Sequence, residues 1–277
     1  MIRFILLGIV QGITEFFPVS SSGHLVVLQH ILEIERNVVF IDVVLHLGTL
    51  FSLLVFFRKD ISVLCYNFFI ALGDILFRNR MSYILKYDDK FKLSLHIIVI
   101  TIITGFIGFY RKDFLERQFE NINTVIFSLF LMSLILLLTK NFVHGQRRLR
   151  HISLKDSILF ALVQALAIIP GISRSGITIS MLLFRNLERE DAYKLSFLAS
   201  IPIILGAFIF KFRETQGIPR DIPMLYLISG FLFAFLCGLA ALYILRSVLR
   251  HRNFYKFSYY CFFIAIVILF LKLRHIL

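Results

Sequence analysis

The chain has 277 residues, of which 58% are hydrophobic and 17% are charged, and its formal net charge at pH 7 is +13. Because soluble domains carry about a quarter charged residues, this composition excludes an ordinary soluble protein and predicts a membrane protein. The positive charge is better explained by loops facing an anionic leaflet than by nucleic acid, so we predict no nucleic-acid partner.

Long apolar stretches predict six membrane spans, each able to cross a hydrocarbon core of roughly 30 Å. In chain order they are 38–57, 93–110, 122–139, 193–210, 222–245 and 257–271. Four shorter apolar stretches, 2–17, 25–34, 157–169 and 177–184, predict helices too short to span. Residues 61–77 are also apolar, but Asn67 and Asp74 interrupt them, and we interpret this stretch as interfacial.

Two polar clusters interrupt the short apolar stretches and match each other at a constant offset. Residues 11–24 read QGITEFFPVSSSGH and residues 170–176 read PGISRSG. At an offset of 153 residues, Gln11 matches Gln164, Ser20 matches Ser173, Ser22 matches Ser175 and Gly23 matches Gly176. The alternative is a chance match among small residues.

The loop charges predict a topology. Residues 58–92 contain seven Lys or Arg, 140–156 contain five and 246–256 contain four, so the positive-inside rule places these three loops in the cytoplasm. Residues 1–36 then enter from outside and return there, whereas 157–184 enter and return on the inside. Each polar cluster would thus lie at the tip of a re-entrant helix pair.

The offset and the topology together predict the fold class. We expect an all-α integral membrane protein with an inverted-topology repeat, in which each half has a re-entrant helix pair and three transmembrane helices. The chain would form one membrane domain, 1–277, with repeats at about 1–139 and 154–277. Broken helices at matching positions of inverted repeats are where such folds place ligand sites.

The first cluster contains ionisable groups inside an apolar stretch. In this environment the Glu15 carboxyl group must be paired, protonated, bound to a metal or facing water. Gln11 lies one helical turn before it. The alternative is a hydrogen-bonded pair between helices. Ser20, Ser21 and Ser22 offer hydroxyls at a helix start that suits phosphate, although ordinary capping explains them as well. His24 is a candidate proton-transfer group.

The second cluster contains a cation that cannot lose its charge. Arg174 lies between Ser173 and Ser175, away from any basic loop, and predicts either a bidentate phosphate contact or a structural ion pair with Glu15. Thr178 is a plausible further hydroxyl. Weaker candidates, for which packing or a helix kink is at least as good an explanation, are Asp42, His46, Ser196 and Pro202.

These motifs resemble those of the bacterial undecaprenyl-diphosphate phosphatase family, which is linked to bacitracin resistance. The resemblance rests on Gln11-xxx-Glu15, the segment 17–24 (FPVSSSGH) and the segment 170–178 (PGISRSGIT), and it extends along the whole chain. It implies hydrolysis of the C55 lipid diphosphate to the monophosphate carrier and phosphate, in the bacterial inner membrane with the site open to the periplasm. It also implies a divalent cation. Gln11 stands where many relatives have glutamate.

From these parts we assign expected roles. Glu15, Ser21, His24 and Arg174 are the predicted catalytic residues, and Ser20, Ser22, Ser173, Ser175 and Thr178 are predicted to bind the substrate phosphates. Glu15 and Gln11 are the predicted ligands of Mg²⁺ or Ca²⁺. A serine hydroxyl or a metal-activated water is the nucleophile; the sequence leaves both open.

Two other functions share parts of this sequence pattern. A polyprenyl-phosphate flippase or transporter is the alternative favoured by an inverted repeat alone. A type 2 phosphatidic-acid phosphatase is rejected, because that pattern needs a histidine six residues after the arginine and position 180 is Ser180. The partners expected are the lipid diphosphate and membrane lipids, and no oligomeric state is indicated.

Overall fold

The computed structural model describes residues 1–34, 37–78, 88–110, 122–142, 145–214 and 222–274. Regular structure in these ranges is helical, apart from one isolated bridge between Arg147 and Leu187, and this confirms the all-helical prediction. Within the described residues, eleven α-helices follow one another: α1 (Ile2–Phe16), α2 (Ser21–Ile31), α3 (Val38–Phe56), α4 (Arg58–Arg78), α5 (Asp89–Tyr110), α6 (Ile122–Leu138), α7 (Leu154–Leu166), α8 (Arg174–Phe184), α9 (Arg189–Glu214), α10 (Met224–Arg250) and α11 (Phe257–Leu273).

In the described part of the chain, seven helical segments are long and apolar enough to cross a membrane, one more than the six predicted. The additional candidate is α4, for which Asn67 and Asp74 predict an interfacial position. Both polar side chains are satisfied within the helix: Asn67 Nδ2 donates to the Val63 carbonyl at 2.7 Å, and Asp74 pairs with Arg78 at 3.0 Å. The polar interruptions therefore do not end the helix. The chain is a multi-pass membrane protein.

Each polar cluster breaks a helix, as predicted. Pro18 lies between α1 and α2, where it cannot donate a backbone hydrogen bond. Between α7 and α8 the chain turns at Pro170 and Gly171, and Gly171 has φ +92°. A Cβ at Gly171 would lie 2.7 Å from both the Val125 carbonyl and Ser128 Cβ, so only glycine fits this turn.

The pair α1–α2 has both of its outer ends at one end of the helix bundle. The ring of Phe4, in the first turn of α1, lies 5.7 Å from that of Tyr226, in the first turn of α10. Leu28 and Leu32, at the end of α2, pack with the cluster that contains Ile41 near the start of α3. We call this the α1 end of the bundle.

The pair α7–α8 has its outer ends at the opposite end of the bundle. Asp156, in the first turn of α7, accepts hydrogen bonds of 2.7 Å from both Arg147 and Arg185, the residue after α8. The ring of Phe57, which follows α3, lies 5.8 Å from that of Tyr193 in the first turns of α9. We call this the α7 end.

Helix α4 and the next described helix, α5, both start at the α7 end. Asp60 of α4 pairs with Lys194 of α9 at 2.6 Å. Near the start of α5, His96 Nδ1 lies 2.7 Å from Ser157 Oγ of α7. The start of α4 and the start of α5 therefore lie at the same end of the bundle.

Helices at matching positions of the two predicted repeats make matching contacts. Helix α1 packs on α10 as α7 packs on α5, and α3 packs on α10 as α9 packs on α5. The central contacts pair α3 with α9 and α6 with α11. Small residues permit the close contact of α1 with α10: a Cβ at Gly12 would lie 2.7 Å from the Ala234 carbonyl.

Candidate active site

The two helix breaks meet inside the bundle. Ser173 Oγ and Ser175 Oγ each lie 3.4 Å from the Phe17 carbonyl oxygen, which also accepts from the Val19 amide at 2.8 Å. The next carbonyl, of Pro18, accepts from Cys261 Sγ of α11 at 3.3 Å. Thus side chains from later in the chain contact both carbonyls of the first break, and Cys261 supplies the hydrogen bond to the second of them.

Glu15 is the centre of the polar contacts. It is 9% exposed. Its Oε1 accepts from Arg174 Nη2 at 2.9 Å, and its Oε2 accepts from Ser21 Oγ at 2.7 Å and from Gln11 Nε2 at 3.2 Å. His46 Nε2 lies 3.7 Å from the same Oε2. The predicted pairs Gln11–Glu15 and Glu15–Arg174 are therefore both present, and the second joins the two halves.

Two buried polar atoms beside this ion pair have no hydrogen-bond partner among the described residues. One is Arg174 Nη1 and the other is the carbonyl oxygen of Gln11, Oε1. Because buried polar atoms are almost always paired, an unpaired donor and an unpaired acceptor in one site indicate room for a polar ligand. The ion pair uses only part of the hydrogen-bonding capacity of Arg174.

The serines of the two clusters have equivalent geometry. Ser20 Oγ lies 3.3 Å from Ser22 Oγ, and Ser173 Oγ lies 3.2 Å from Ser175 Oγ. Ser173 also caps α8 by accepting from the Gly176 amide at 3.1 Å. Ser20 makes no such cap on α2, although it holds the N-cap position with φ +67°. The first amides of α2 therefore lack a side-chain cap, as at anion sites on helix N-termini.

Thr178 lies one turn into α8 and is fully buried. Its hydroxyl donates to the Arg174 carbonyl at 2.7 Å and lies 2.7 Å from Ser196 Oγ of α9. Ser196, a weaker candidate in the sequence, thus supports the start of α8. These contacts hold Thr178 against the backbone of Arg174 rather than against Glu15.

His24 lies away from the Glu15 carboxylate. Its Nδ1 lies 2.7 Å from the Ser20 carbonyl, which accepts the Nδ1 proton, and its Nε2 accepts from the Tyr260 hydroxyl at 2.7 Å. The imidazole beside Glu15 belongs instead to His46, for which the sequence favoured packing at least as strongly. Sequence reasoning missed Tyr260, since a tyrosine in an apolar helix gives no signal of its own.

The residues present fit a divalent cation that takes few protein ligands. No group of three or more His, Cys, Asp or Glu side chains with metal-binding spacing occurs in the described part of the chain. The predicted ligands Glu15 and Gln11 are nevertheless adjacent, and the carbonyl oxygen of Gln11 is buried without a partner. Hard divalent cations accept such oxygen donors and complete their shell with phosphate and water.

The fold and the site define a multi-pass membrane protein with a buried, ion-paired polar site where two broken helices meet. The chain belongs to the family described as Bacitracin resistance protein BacA, whose model matches residues 4–267. It is similar to proteins named undecaprenyl-diphosphatase. That of Alkaliphilus metalliredigens is 41% identical over 271 residues, covering 97% of this chain and 98% of that protein.

Two further relatives carry the same name. The undecaprenyl-diphosphatase of Methanobrevibacter smithii is 39% identical over 277 residues, covering 100% of this chain and 99% of that protein. That of Carboxydothermus hydrogenoformans is 39% identical over 271 residues, covering 97% and 96%. The similarity therefore extends through both polar clusters.

Proposed function

We infer that this chain is an undecaprenyl-diphosphatase, which hydrolyses undecaprenyl diphosphate to undecaprenyl phosphate and inorganic phosphate. The reaction returns the lipid carrier to cell-wall synthesis. The observation that carries the mechanism is the state of Arg174, which holds Glu15 through one nitrogen while its other terminal nitrogen is buried and unpartnered in the described part of the chain. A guanidinium in this arrangement has donors left for a phosphate oxygen.

Positioning and charge neutralisation dominate phosphoryl transfer, and the site supplies both. Arg174 neutralises the diphosphate, and Ser173, Ser175 and Thr178 hold the backbone from which it extends. The uncapped first turn of α2, with Ser20 and Ser22, provides further donors. The guanidinium and the serines of the two clusters are the donors proposed to bind the diphosphate, and Thr178 supports them through the backbone of Arg174.

We assign the nucleophile to Ser21. It is the serine of the first cluster that donates to Glu15, so the carboxylate accepts its proton as Oγ attacks the terminal phosphorus. The anhydride P–O bond breaks, undecaprenyl phosphate leaves, and water then cleaves the phosphoserine to release phosphate. A water beside Glu15 that attacks directly is the competing arrangement. His24, oriented by Ser20 and Tyr260, is the proposed general base for the water that cleaves the phosphoserine, because its Nε2 is the proton-accepting nitrogen in this arrangement.

A divalent cation such as Mg²⁺ or Ca²⁺ is part of the proposal. Glu15 and the carbonyl oxygen of Gln11 would hold it, with diphosphate oxygens filling other positions. When bound, the cation neutralises charge on the diphosphate.

We further propose the inverted-topology repeat, with halves at about 1–139 and 154–277. Three observations support it: the helix pairs have their outer ends at opposite ends of the bundle, equivalent helices make equivalent contacts, and the paired serines have equal spacing. Six helices then cross, while α4 leaves and returns at the α7 end. By the positive-inside rule, the basic loops support a cytoplasmic location for that end, and we propose that the site opens to the periplasm.

Labelling with a membrane-impermeant maleimide tests this orientation. Glu33→Cys, after α2, and Arg150→Cys, before α7, are each introduced after replacing Cys65, Cys237 and Cys261. Intact cells should label Glu33→Cys and label Arg150→Cys only after permeabilisation. The reverse pattern would invert the topology.

Phosphate release from C55 diphosphate by purified protein in detergent tests the activity. Arg174→Ala and Glu15→Ala should each abolish release, and chelator should reduce it in the wild type. Arg150→Ala, which removes an exposed arginine at the α7 end, is the matched control. Near-normal turnover of either site variant would refute the assignment. Neither the described contacts nor the comparisons favour the lipid-transport alternative.

A further inference from the structure

A histidine outside both polar clusters faces the proposed cation ligands. His46, in the third turn of α3, has its Nε2 3.7 Å from Glu15 Oε2 and has a side-chain exposure of 34%. We propose that His46 is a third protein ligand of the cation, and that this nitrogen makes the site prefer a first-row transition cation such as Mn²⁺ over Ca²⁺. This inference rests on the proposed function in one respect, the diphosphate substrate that would fill the remaining coordination positions of the cation.

The orientation of His46 suits a metal ligand. Its Nδ1 lies 2.8 Å from the Asp42 carbonyl oxygen, which accepts the Nδ1 proton and leaves the Nε2 lone pair facing Glu15. Metal-binding histidines characteristically donate their second ring nitrogen to a carbonyl or carboxylate in this way. Asp42 is itself held, because Gln29 Nε2 donates to its side chain at 2.6 Å. The ring is therefore fixed before any cation binds.

The donor atoms are close enough to share one ion. Two ligands of the same cation lie at most about 4 to 5 Å apart, twice the usual metal–ligand distance. Glu15 Oε2 lies 3.7 Å from His46 Nε2 and 3.2 Å from the amide nitrogen of Gln11. A half-turn of the Gln11 amide exchanges that nitrogen with its unpartnered oxygen, and brings an oxygen ligand beside Glu15 Oε2.

Arg174 does not occupy this side of the carboxylate. The guanidinium contacts Oε1, whereas His46, Gln11 and Ser21 all approach Oε2. Oε1 thus faces the guanidinium of Arg174, and Oε2 faces three side chains that could be metal ligands. The proposed donor set is His46 Nε2, Glu15 Oε2 and the carbonyl oxygen of Gln11, which is fully buried.

Ligand chemistry decides the metal class. Ca²⁺ and Mg²⁺ favour oxygen-only surroundings, whereas an imidazole raises the affinity for first-row transition cations. With Gln11 neutral, Glu15 supplies the one carboxylate charge of the set. A nitrogen ligand therefore changes the metal preference of this site more than it would change the metal preference of a site with several carboxylates.

Mn²⁺ alone is the probe, added to the metal-free full chain in detergent and followed by electron paramagnetic resonance. The wild type should bind Mn²⁺ with ¹⁴N modulation in the spin-echo spectrum, which changes when histidine is labelled with ¹⁵N. His46→Gln should lose this modulation and bind Mn²⁺ about tenfold or more weakly, with a much smaller loss of Ca²⁺ affinity. His30→Gln, the same substitution in the exposed last turn of α2, should behave as the wild type.

Several outcomes would overturn the assignment. These are a wild type without ¹⁴N modulation, a signal indifferent to ¹⁵N-histidine, or a His46→Gln chain with unchanged Mn²⁺ affinity. The isotope test uses the wild type, so it decides even if the variant fails to fold. The proposed function fails separately: a chain that shows the ¹⁴N signature yet releases no phosphate from C55 diphosphate keeps the metal site and loses the activity.

Discussion

Glu15 and Arg174 are 159 residues apart in the chain and are joined by a hydrogen bond of 2.9 Å between Oε1 and Nη2. Each belongs to a different broken helix, so the bond sets the distance between the two breaks. The sequence left open whether this pair is structural or functional. The structure contains the pair and also leaves Arg174 Nη1 unpartnered among the residues described, so the two readings are compatible.

Arg174→Lys separates charge from geometry. Lysine keeps the positive charge, but a single ammonium does not reproduce the planar fork that serves Glu15 and a phosphate together. We expect kcat/KM for phosphate release to fall roughly 100-fold or more, a loss like that of one transition-state donor. Arg250→Lys, at an exposed arginine of α10 that pairs with Glu190, should stay near the wild-type value. Retention of activity in Arg174→Lys would show that charge alone suffices.

Ser21→Ala tests the nucleophile. If Ser21 attacks phosphorus, its removal should abolish phosphate release, and substrate labelled in its terminal phosphate should leave radioactive phosphoserine in quenched wild-type protein. Ser22→Ala is the matched control for trapping: Ser22 bonds to Ser20 rather than to Glu15, so its variant should still be labelled. Wild-type protein that turns over without ever becoming labelled would favour direct attack by water.

Tyr260→Phe isolates the hydroxyl that orients His24. The phenylalanine ring retains the stacking with His24, whose centroid lies 5.7 Å away, and loses the bond to Nε2. Because a hydrogen bond of this kind contributes about 1 kcal/mol, we expect kcat to fall roughly fivefold with little change in KM. Tyr259→Phe, one position earlier and 62% exposed, is the control. Equal kinetics in both variants would remove Tyr260 from the mechanism.

Gly12→Ala tests the packing beneath Glu15. The new Cβ would lie 2.7 Å from the Ala234 carbonyl and 2.8 Å from the Gly238 amide nitrogen, both backbone atoms of α10. We expect a loss of about 1 to 3 kcal/mol in the free energy of unfolding, seen as a lower Tm in detergent. Gly105→Ala meets nothing within 4 Å and should be neutral or slightly stabilising through helix propensity. Similar Tm values for the two variants would contradict the close helix contact.

Asp156 links stability to pH at the α7 end. Burial alone would raise its pKa, but hydrogen bonds from Arg147, Ser153 and Arg185 outweigh this and hold the pKa well below its usual range. With the folded pKa below the unfolded one, the stabilisation is complete above pH ~4 to 5 and is lost as the pH falls further towards the folded pKa.

Asp156→Asn should therefore destabilise the protein at pH 7, by about 2 kcal/mol, since the carboxylate is buried while both arginines are partly exposed. The difference in Tm from the wild type should shrink between pH 5 and pH 3. Asp74→Asn, in an exposed pair with Arg78, should change Tm little at any pH. A pH-independent difference for Asp156→Asn would refute the linkage.

Local rules predicted much of the fold and part of the site. The helix breaks at Pro18 and Pro170 follow from backbone chemistry, and the Gln11–Glu15 bond follows from helical spacing, since both are local. The choice between His24 and His46 is not local: it depends on how α3 packs against α1, which no spacing within either helix encodes. Helix α4 continues through its polar residues because Asp74 pairs with Arg78 within the helix.

The bonds to the Phe17 and Pro18 carbonyls also constrain biogenesis. A ribosome that has delivered the first half of this chain to the membrane has not yet made Ser173, Ser175 or Cys261, whose side chains contact those two oxygens. The Val19 amide already pairs with the Phe17 carbonyl, but until residue 261 is synthesised the Pro18 carbonyl must be hydrated or held by other contacts. Assembly of the site is thus a late event, and truncated chains should insert without acquiring a stable break.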